Sequence, residues 1–269
     1  MGRVRLSLPA RNIELVGCQR AEVEQAFEVL AAKQRYAHHA VMSQRICQSI
    51  DCFRVRHDKP QVLIKLRVFC LFFGVVDDCL DVRGPVECSL LLARFADPLP
   101  TFTPEVVRSA PLLAVEFLKA WIAPNNYSDV LTGLHELHHA VVQERTAVTI
   151  RSYMAARRAS GRLTSEVAYR LIANELRQPR PDVLSYMCEV AEIGNLIDSL
   201  VDMSRDRRHG VLNFRPTLTD RARLLTHVFE GSFRLLARYP RMAGLFGNAL
   251  RDVCRDSWRR NAVQVSQEH

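Results

Sequence analysis

Carboxylates dominate the residues of this chain that could do chemistry. The stretch "FCLFFGVVDDCLDV", residues 69–82, ends a dense apolar run in Asp77, Asp78 and Asp81. On a helix, Asp77 and Asp81 share one face, about 6 Å apart along the axis. Like charges at that spacing destabilise a bare helix, and carboxylates among apolar residues are costly without a compensating cation or hydrogen bond. Magnesium fits such a pair, because it binds through one or two carboxylates while keeping waters or substrate phosphates in its shell. A solvated acidic helix end is the plainer alternative.

A second acidic stripe strengthens the metal reading. In "IGNLIDSLVDMSRDRRHG", Asp198, Asp202 and Asp206 recur at steps of four, a stripe about 12 Å long on one helix face. Leu196, Ile197, Leu200, Val201 and Met203 keep the neighbouring faces apolar. Two such stripes, confronting each other over an apolar hollow, would hold a small cluster of Mg²⁺, and the ligand joining them would be a diphosphate.

A third stretch, "YMAARRASG", residues 153–161, places Arg157 ahead of Ser160 and Gly161. A guanidinium grips phosphate oxygens in fork geometry, and a glycine there lets the backbone leave the helix. A basic helix end followed by glycine is also an ordinary C-terminus.

Together these motifs resemble those of class I terpene synthases of the small, single-domain microbial kind. Asp77, Asp78 and Asp81 match the aspartate-rich D-D-x-x-D motif. The second motif of that family reads N-D-x-x-S-x-x-x-E, with ligands at its first, fifth and ninth positions. Asp198, Asp202 and Asp206 keep this spacing and replace all three residue types. Arg205 stands where the family often has a basic residue. Arg157, Ser160 and Gly161 fit the spacing of its diphosphate-sensing arginine, linker and effector residues. The family usually ends with an Arg-Tyr pair; "DSWRRN" offers Arg259 and Arg260 without a tyrosine.

The resemblance implies ionisation of an allylic prenyl diphosphate with Mg²⁺, three ions in the closed complex, followed by cyclisation or rearrangement of the carbocation. The substrate would have fifteen or twenty carbons, with a bicyclic diterpenyl diphosphate included, and the product would be a terpene hydrocarbon or alcohol. Phe69 and Phe73, two turns and one turn before Asp77, could line the pocket or be plain core. Head-to-head prenyl transferases of the squalene and phytoene synthase kind are the nearest alternative, since Asp198 and Asp202 match a D-x-x-x-D motif. An alternative of another class is "HELHH", residues 135–139, in which His135 and His139 could bind zinc with Glu136 as general base.

The elements that must position these residues read as helices almost throughout. Long spacings of three and four run from residue 21 to 46, and another helix starts at Pro60 and ends near Gly84-Pro85. Further helices are expected at 105–123, 128–158, 164–176, 181–208, 219–238 and 241–260, with a proline-rich loop at 98–104. Strand candidates are few and no hairpin turn joins two of them. The expectation is one all-α domain over residues 1–269, with its core at about 20–260: a single-domain helical bundle around a central apolar cavity.

Composition bounds the rest. With 269 residues, 48% of them hydrophobic and 25% charged, the chain can bury a sizeable core. No apolar run approaches a membrane span, and the first residues lack the apolar core of a secretory leader. A cytoplasmic protein without a stable membrane anchor is expected. The net charge of +8 comes mostly from arginines spread along the chain. That spread argues against nucleic acid and suits a small phosphorylated substrate. A homodimer is compatible with all of this. The eight cysteines are scattered with no C-x-x-C, as expected of buried free thiols.

Overall fold

The computed structural model describes residues 6–178, 180–208, 212–249 and 251, and the side chains of all of these except 204, 205 and 208. Most described residues are helical, so the fold is all-α. The helices are α1 Arg20–Ala31, α2 Ala37–Cys52, α3 Lys59–Arg83, α4 Pro85–Ala93, α5 Pro104–Arg108, α6 Ala110–Trp121, α7 Tyr127–Thr146, α8 Ile150–Ile172, α9 Pro181–Arg208 and α10 Leu218–Arg238. A short parallel pair joins β1, Glu14–Leu15, to β2, Thr101–Phe102. The described residues fall into two compact units, one from Met1–His135 and Val167–Pro179, the other from Glu136–Glu166 and Arg180–His269.

In the first unit α3 is the central helix. Asp58 caps it by accepting the Gln61 amide at 3.2 Å, and Pro60 sits in the first turn, where no amide donor is needed. Its apolar residues run nearly all the way round, the pattern of a helix buried on several sides. It packs against α2, α4 and α6. Lys65 is the exception in this run. Its ammonium meets Glu175 at 2.7 Å and the Leu171 carbonyl at 3.1 Å, which makes its burial tolerable. Nearby, Phe27 stacks on Phe117 with centroids 3.7 Å apart, and Phe102 meets Phe117 edge-on. Glu116, wholly buried on α6, is held by Arg94 and Lys119, each at 2.9 Å, and by the Thr101 amide at 3.0 Å. The α3–α4 corner turns on Gly84, whose φ of +83° suits a residue without Cβ.

In the second unit α9 and α10 pack together. Thr217 and Asp220 form a capping box at the start of α10. Leu224, Val228 and Leu235 are buried, and Gly231 lets Ile193 of α9 approach.

Several boundaries differ from the sequence reading. The expected helix at 128–158 ends at Thr146, and α8 then runs unbroken through Gly161. Local capping decides this. The Thr149 hydroxyl accepts the Ser152 amide at 3.1 Å, and the Ser152 hydroxyl accepts the Thr149 amide at 3.3 Å. The expected helix at 105–123 divides at Ser109, because Pro111 is accommodated only in a first turn. The expected N-terminal helix is interrupted after Ala31, where Tyr36 turns inward.

Candidate functional site

The first acidic motif lies in the last two turns of α3. Asp77 and Asp81 are exposed there, one turn apart as the spacing requires. Asp78 has a different setting. It accepts the Tyr36 hydroxyl at 2.7 Å and pairs with Arg35 at 3.3 Å. Burial, and then the Asp78 carboxylate, push the Tyr36 hydroxyl well above its ordinary value. Arg35 also stacks over the Tyr36 ring, 4.7 Å from its centroid. Asp78 therefore ties the end of α3 to the turn before α2, while Asp77 and Asp81 project outward. Phe69 is buried and Phe73 half-buried.

One turn earlier, α3 carries Gly74. A Cβ there would lie 2.1 Å from His39 Nε2, so the glycine makes room for the imidazole of α2. His39 is only 7% exposed, and its Nδ1 has no hydrogen-bond partner among the described residues. Burial, aided by neighbouring His38, pulls its pKa down to about 3, so the ring is neutral.

In the second unit, α8 and α9 share a dense polar network centred on Arg157. Its Nη1 donates to Glu144 Oε1 at 3.0 Å, its Nη2 to Asp198 Oδ2 at 3.0 Å and to the Asn195 carbonyl at 3.1 Å, and its Nε to Ser199 Oγ at 2.8 Å. Burial alone would lower the pKa of this guanidinium. Glu144, Tyr153 and Asp198 outweigh it and raise the value, which fixes the charge. Tyr153 donates to Ser199 Oγ at 3.2 Å, and burial pushes its hydroxyl up to about 12. Asn195 Nδ2 donates to the Arg157 carbonyl at 3.0 Å and to Ser160 Oγ at 3.2 Å.

The structure thus brings together Arg157, Ser160, Gly161 and Asp198. Gly161 has another role than a helix break. A Cβ there would stand 2.6 Å from the Ala191 carbonyl oxygen, so the glycine allows α8 to approach the α9 backbone. Arg158 and Arg162, which flank this site in sequence, both serve Glu192, at 3.0 and 2.9 Å. On the aspartate stripe Asp202 is buried, whereas Asp198 and Asp206 are half-buried. The Arg205 side chain and residues Arg259 and Arg260 lie outside the described residues.

Sequence reasoning missed Glu144, Tyr153, Asn195 and Ser199. Asn195 and Ser199 had a signal, a four-residue step immediately beside the aspartate stripe. Glu144 and Tyr153 had none, because their roles arise from how α7 and α8 meet around Arg157.

No protein-family model, no curated protein and no solved structure matches the chain. Among the described residues no three His, Cys, Asp or Glu side chains are gathered as a ready metal cage. His135, Glu136 and His139 stand exposed on α7 without such a third ligand. The exposed Asp77 and Asp81 and the half-buried Asp198 offer hard oxygen donors in ones and twos. That donor set fits Mg²⁺, which takes its remaining ligands from water and phosphate. Among the described residues no helix is long and apolar enough to cross a membrane.

Proposed function

We propose that this chain is a class I terpene synthase, ionising an allylic prenyl diphosphate of fifteen or twenty carbons and releasing a terpene hydrocarbon or alcohol. The observation that carries the reading is the Arg157–Asp198 contact at 3.0 Å, which puts a fixed guanidinium beside the first acid of the α9 stripe. Cation and carboxylate in contact suit a metal-bound diphosphate, because the carboxylate serves the metal and the guanidinium serves the phosphate oxygens.

In this reading Asp77 and Asp81 on α3 would bind Mg²⁺, as would Asp198, Asp202 and Asp206 on α9, while Asp78 keeps the end of α3 in place. Bound Mg²⁺ would neutralise charge on the departing diphosphate. Arg157 exchanges its Asp198 contact for a phosphate oxygen, and Glu144 and Ser199 hold the guanidinium in position during the exchange. The allylic C–O bond breaks with both electrons leaving on the diphosphate. The cation left behind then loses a proton to the diphosphate or adds water.

The reading is tested by incubating the protein with Mg²⁺ and a panel of linear and bicyclic prenyl diphosphates, then assaying free diphosphate and analysing organic extracts by mass spectrometry. Diphosphate and a hydrocarbon or alcohol should appear together. Intact substrate throughout the panel would refute the proposal.

A further inference from the structure

We infer that Arg35 is a further diphosphate-binding residue, held on the first acidic motif as Arg157 is held on the second; the inference rests on the activity proposed above. In each motif one aspartate already touches a guanidinium from another element. Asp198 Oδ2 lies 3.0 Å from Arg157 Nη2, and Asp78 Oδ2 lies 3.3 Å from Arg35 Nη1. Arg35 belongs to the 3₁₀ turn Gln34–Tyr36, which leads into α2.

The Arg35 contact is built to be exchanged. Asp78 Oδ2 also accepts the Tyr36 hydroxyl at 2.7 Å. When the guanidinium leaves, the carboxylate keeps that donor and its half-exposed side is met by water, so no buried charge is stranded. The ion pair itself is open to solvent, with Arg35 57% and Asp78 43% exposed, and at 3.3 Å it is longer than the roughly 2.7–2.9 Å of a charge-assisted bond. An exposed pair of this kind contributes little to folding, whereas a guanidinium fork on phosphate makes two parallel bonds. The Tyr36 ring holds the guanidinium while it changes partner. Stacking at 4.7 Å from the ring centroid removes freedom that the side chain would otherwise lose on binding.

The position also suits the role. Asp81 is three residues beyond Asp78 on α3, a spacing that makes helix side chains neighbours, with Cβ atoms about 5–6 Å apart. The Arg35 guanidinium therefore stands beside a carboxylate assigned to Mg²⁺. Arg83 provides the contrast. It is equally exposed at the same end of α3, but two residues past Asp81 it is turned to Glu87 of α4, which it meets at 3.2 Å.

Calorimetric titration of the full chain with inorganic pyrophosphate in the presence of Mg²⁺ tests the assignment without turnover. Arg35→Ala should weaken binding about ten-fold and leave Tm unchanged, because the pair it breaks is exposed. Arg35→Lys should recover only part of the loss, since it restores the charge without the fork. Arg83→Ala should bind as the wild type does. Undiminished binding by Arg35→Ala, in a protein whose wild type binds Mg²⁺-pyrophosphate, would overturn the inference and leave the proposed activity standing. Equal weakening in Arg35→Ala and Arg83→Ala would also overturn it, by reducing the effect to net charge. So would a fall in Tm that accounts for the weaker binding, which would make Arg35 structural. A wild type that binds no Mg²⁺-pyrophosphate would remove the proposed site itself, and the inference with it.

Discussion

Arg157 on α8 donates to Asp198 on α9 at 3.0 Å while its other amines hold Glu144, Ser199 and the Asn195 carbonyl. Removing the guanidinium has two consequences. Arg157→Ala leaves Glu144 without its cation in a largely buried setting, which should cost about 3 kcal/mol and lower Tm in a thermal melt. It should also reduce diphosphate release far more than Arg162→Ala, whose parent residue pairs with Glu192 at 2.9 Å. Equal loss in both variants would remove Arg157 from the substrate-binding role.

Gly161 and Gly194 make opposite predictions from the same residue type. Alanine at 161 would drive a Cβ to 2.6 Å from the Ala191 carbonyl, an atom of the α9 backbone that cannot step aside. Gly161→Ala should therefore destabilise by about 1–3 kcal/mol in chemical denaturation. Gly194 lies within α9 with nothing within 4 Å of its would-be Cβ. Gly194→Ala should stabilise by about 0.5–1 kcal/mol through helix propensity.

The neutral, buried His39 makes stability depend on pH. Its pKa falls from 6.5 to about 3 on folding, so between those values the unfolded chain binds a proton that the folded chain does not. Stability from this group is full above pH 6.5 and declines as pH falls towards 3, by about 1.4 kcal/mol per unit within that window. Denaturant titrations at pH 7.5 and pH 5 should show the decline, and His39→Gln should flatten it. An unchanged slope in that variant would assign the pH dependence to other groups.

Asp77, Asp78 and Asp81 should separate by role. Asp77→Ala and Asp81→Ala change exposed residues and should leave Tm nearly unaltered while abolishing turnover. Asp78→Ala strands the buried Tyr36 hydroxyl and should cost about 1–3 kcal/mol of stability. A large loss of Tm in Asp81→Ala would make that carboxylate structural.

Much of the helical framework was legible in the sequence for local reasons. Pro60 and the apolar run announced α3, where capping and burial pattern agree, and the expected 181–208 helix coincides with α9. The interruption between α7 and α8 was misplaced because glycine is ambiguous. Gly161 reads as a helix breaker in sequence, whereas in space it makes room for the Ala191 carbonyl. The real stop at 147–149 depends on reciprocal hydrogen bonds between Thr149 and Ser152, short polar residues that draw little notice beside a glycine. The α8–α9 site was half legible. Arg157 and Asp198 stood out by type and spacing, but their contact, and the part of Glu144 in it, arises only once three helices have packed.

The most direct measurement of the central claim is Mg²⁺-dependent diphosphate release from prenyl diphosphates by the wild type and by Asp77→Ala, side by side. The wild type should release diphosphate until EDTA removes the metal, and the folded variant should release none. Release that persists in Asp77→Ala, or a well-folded wild type that leaves every prenyl diphosphate intact, would contradict it.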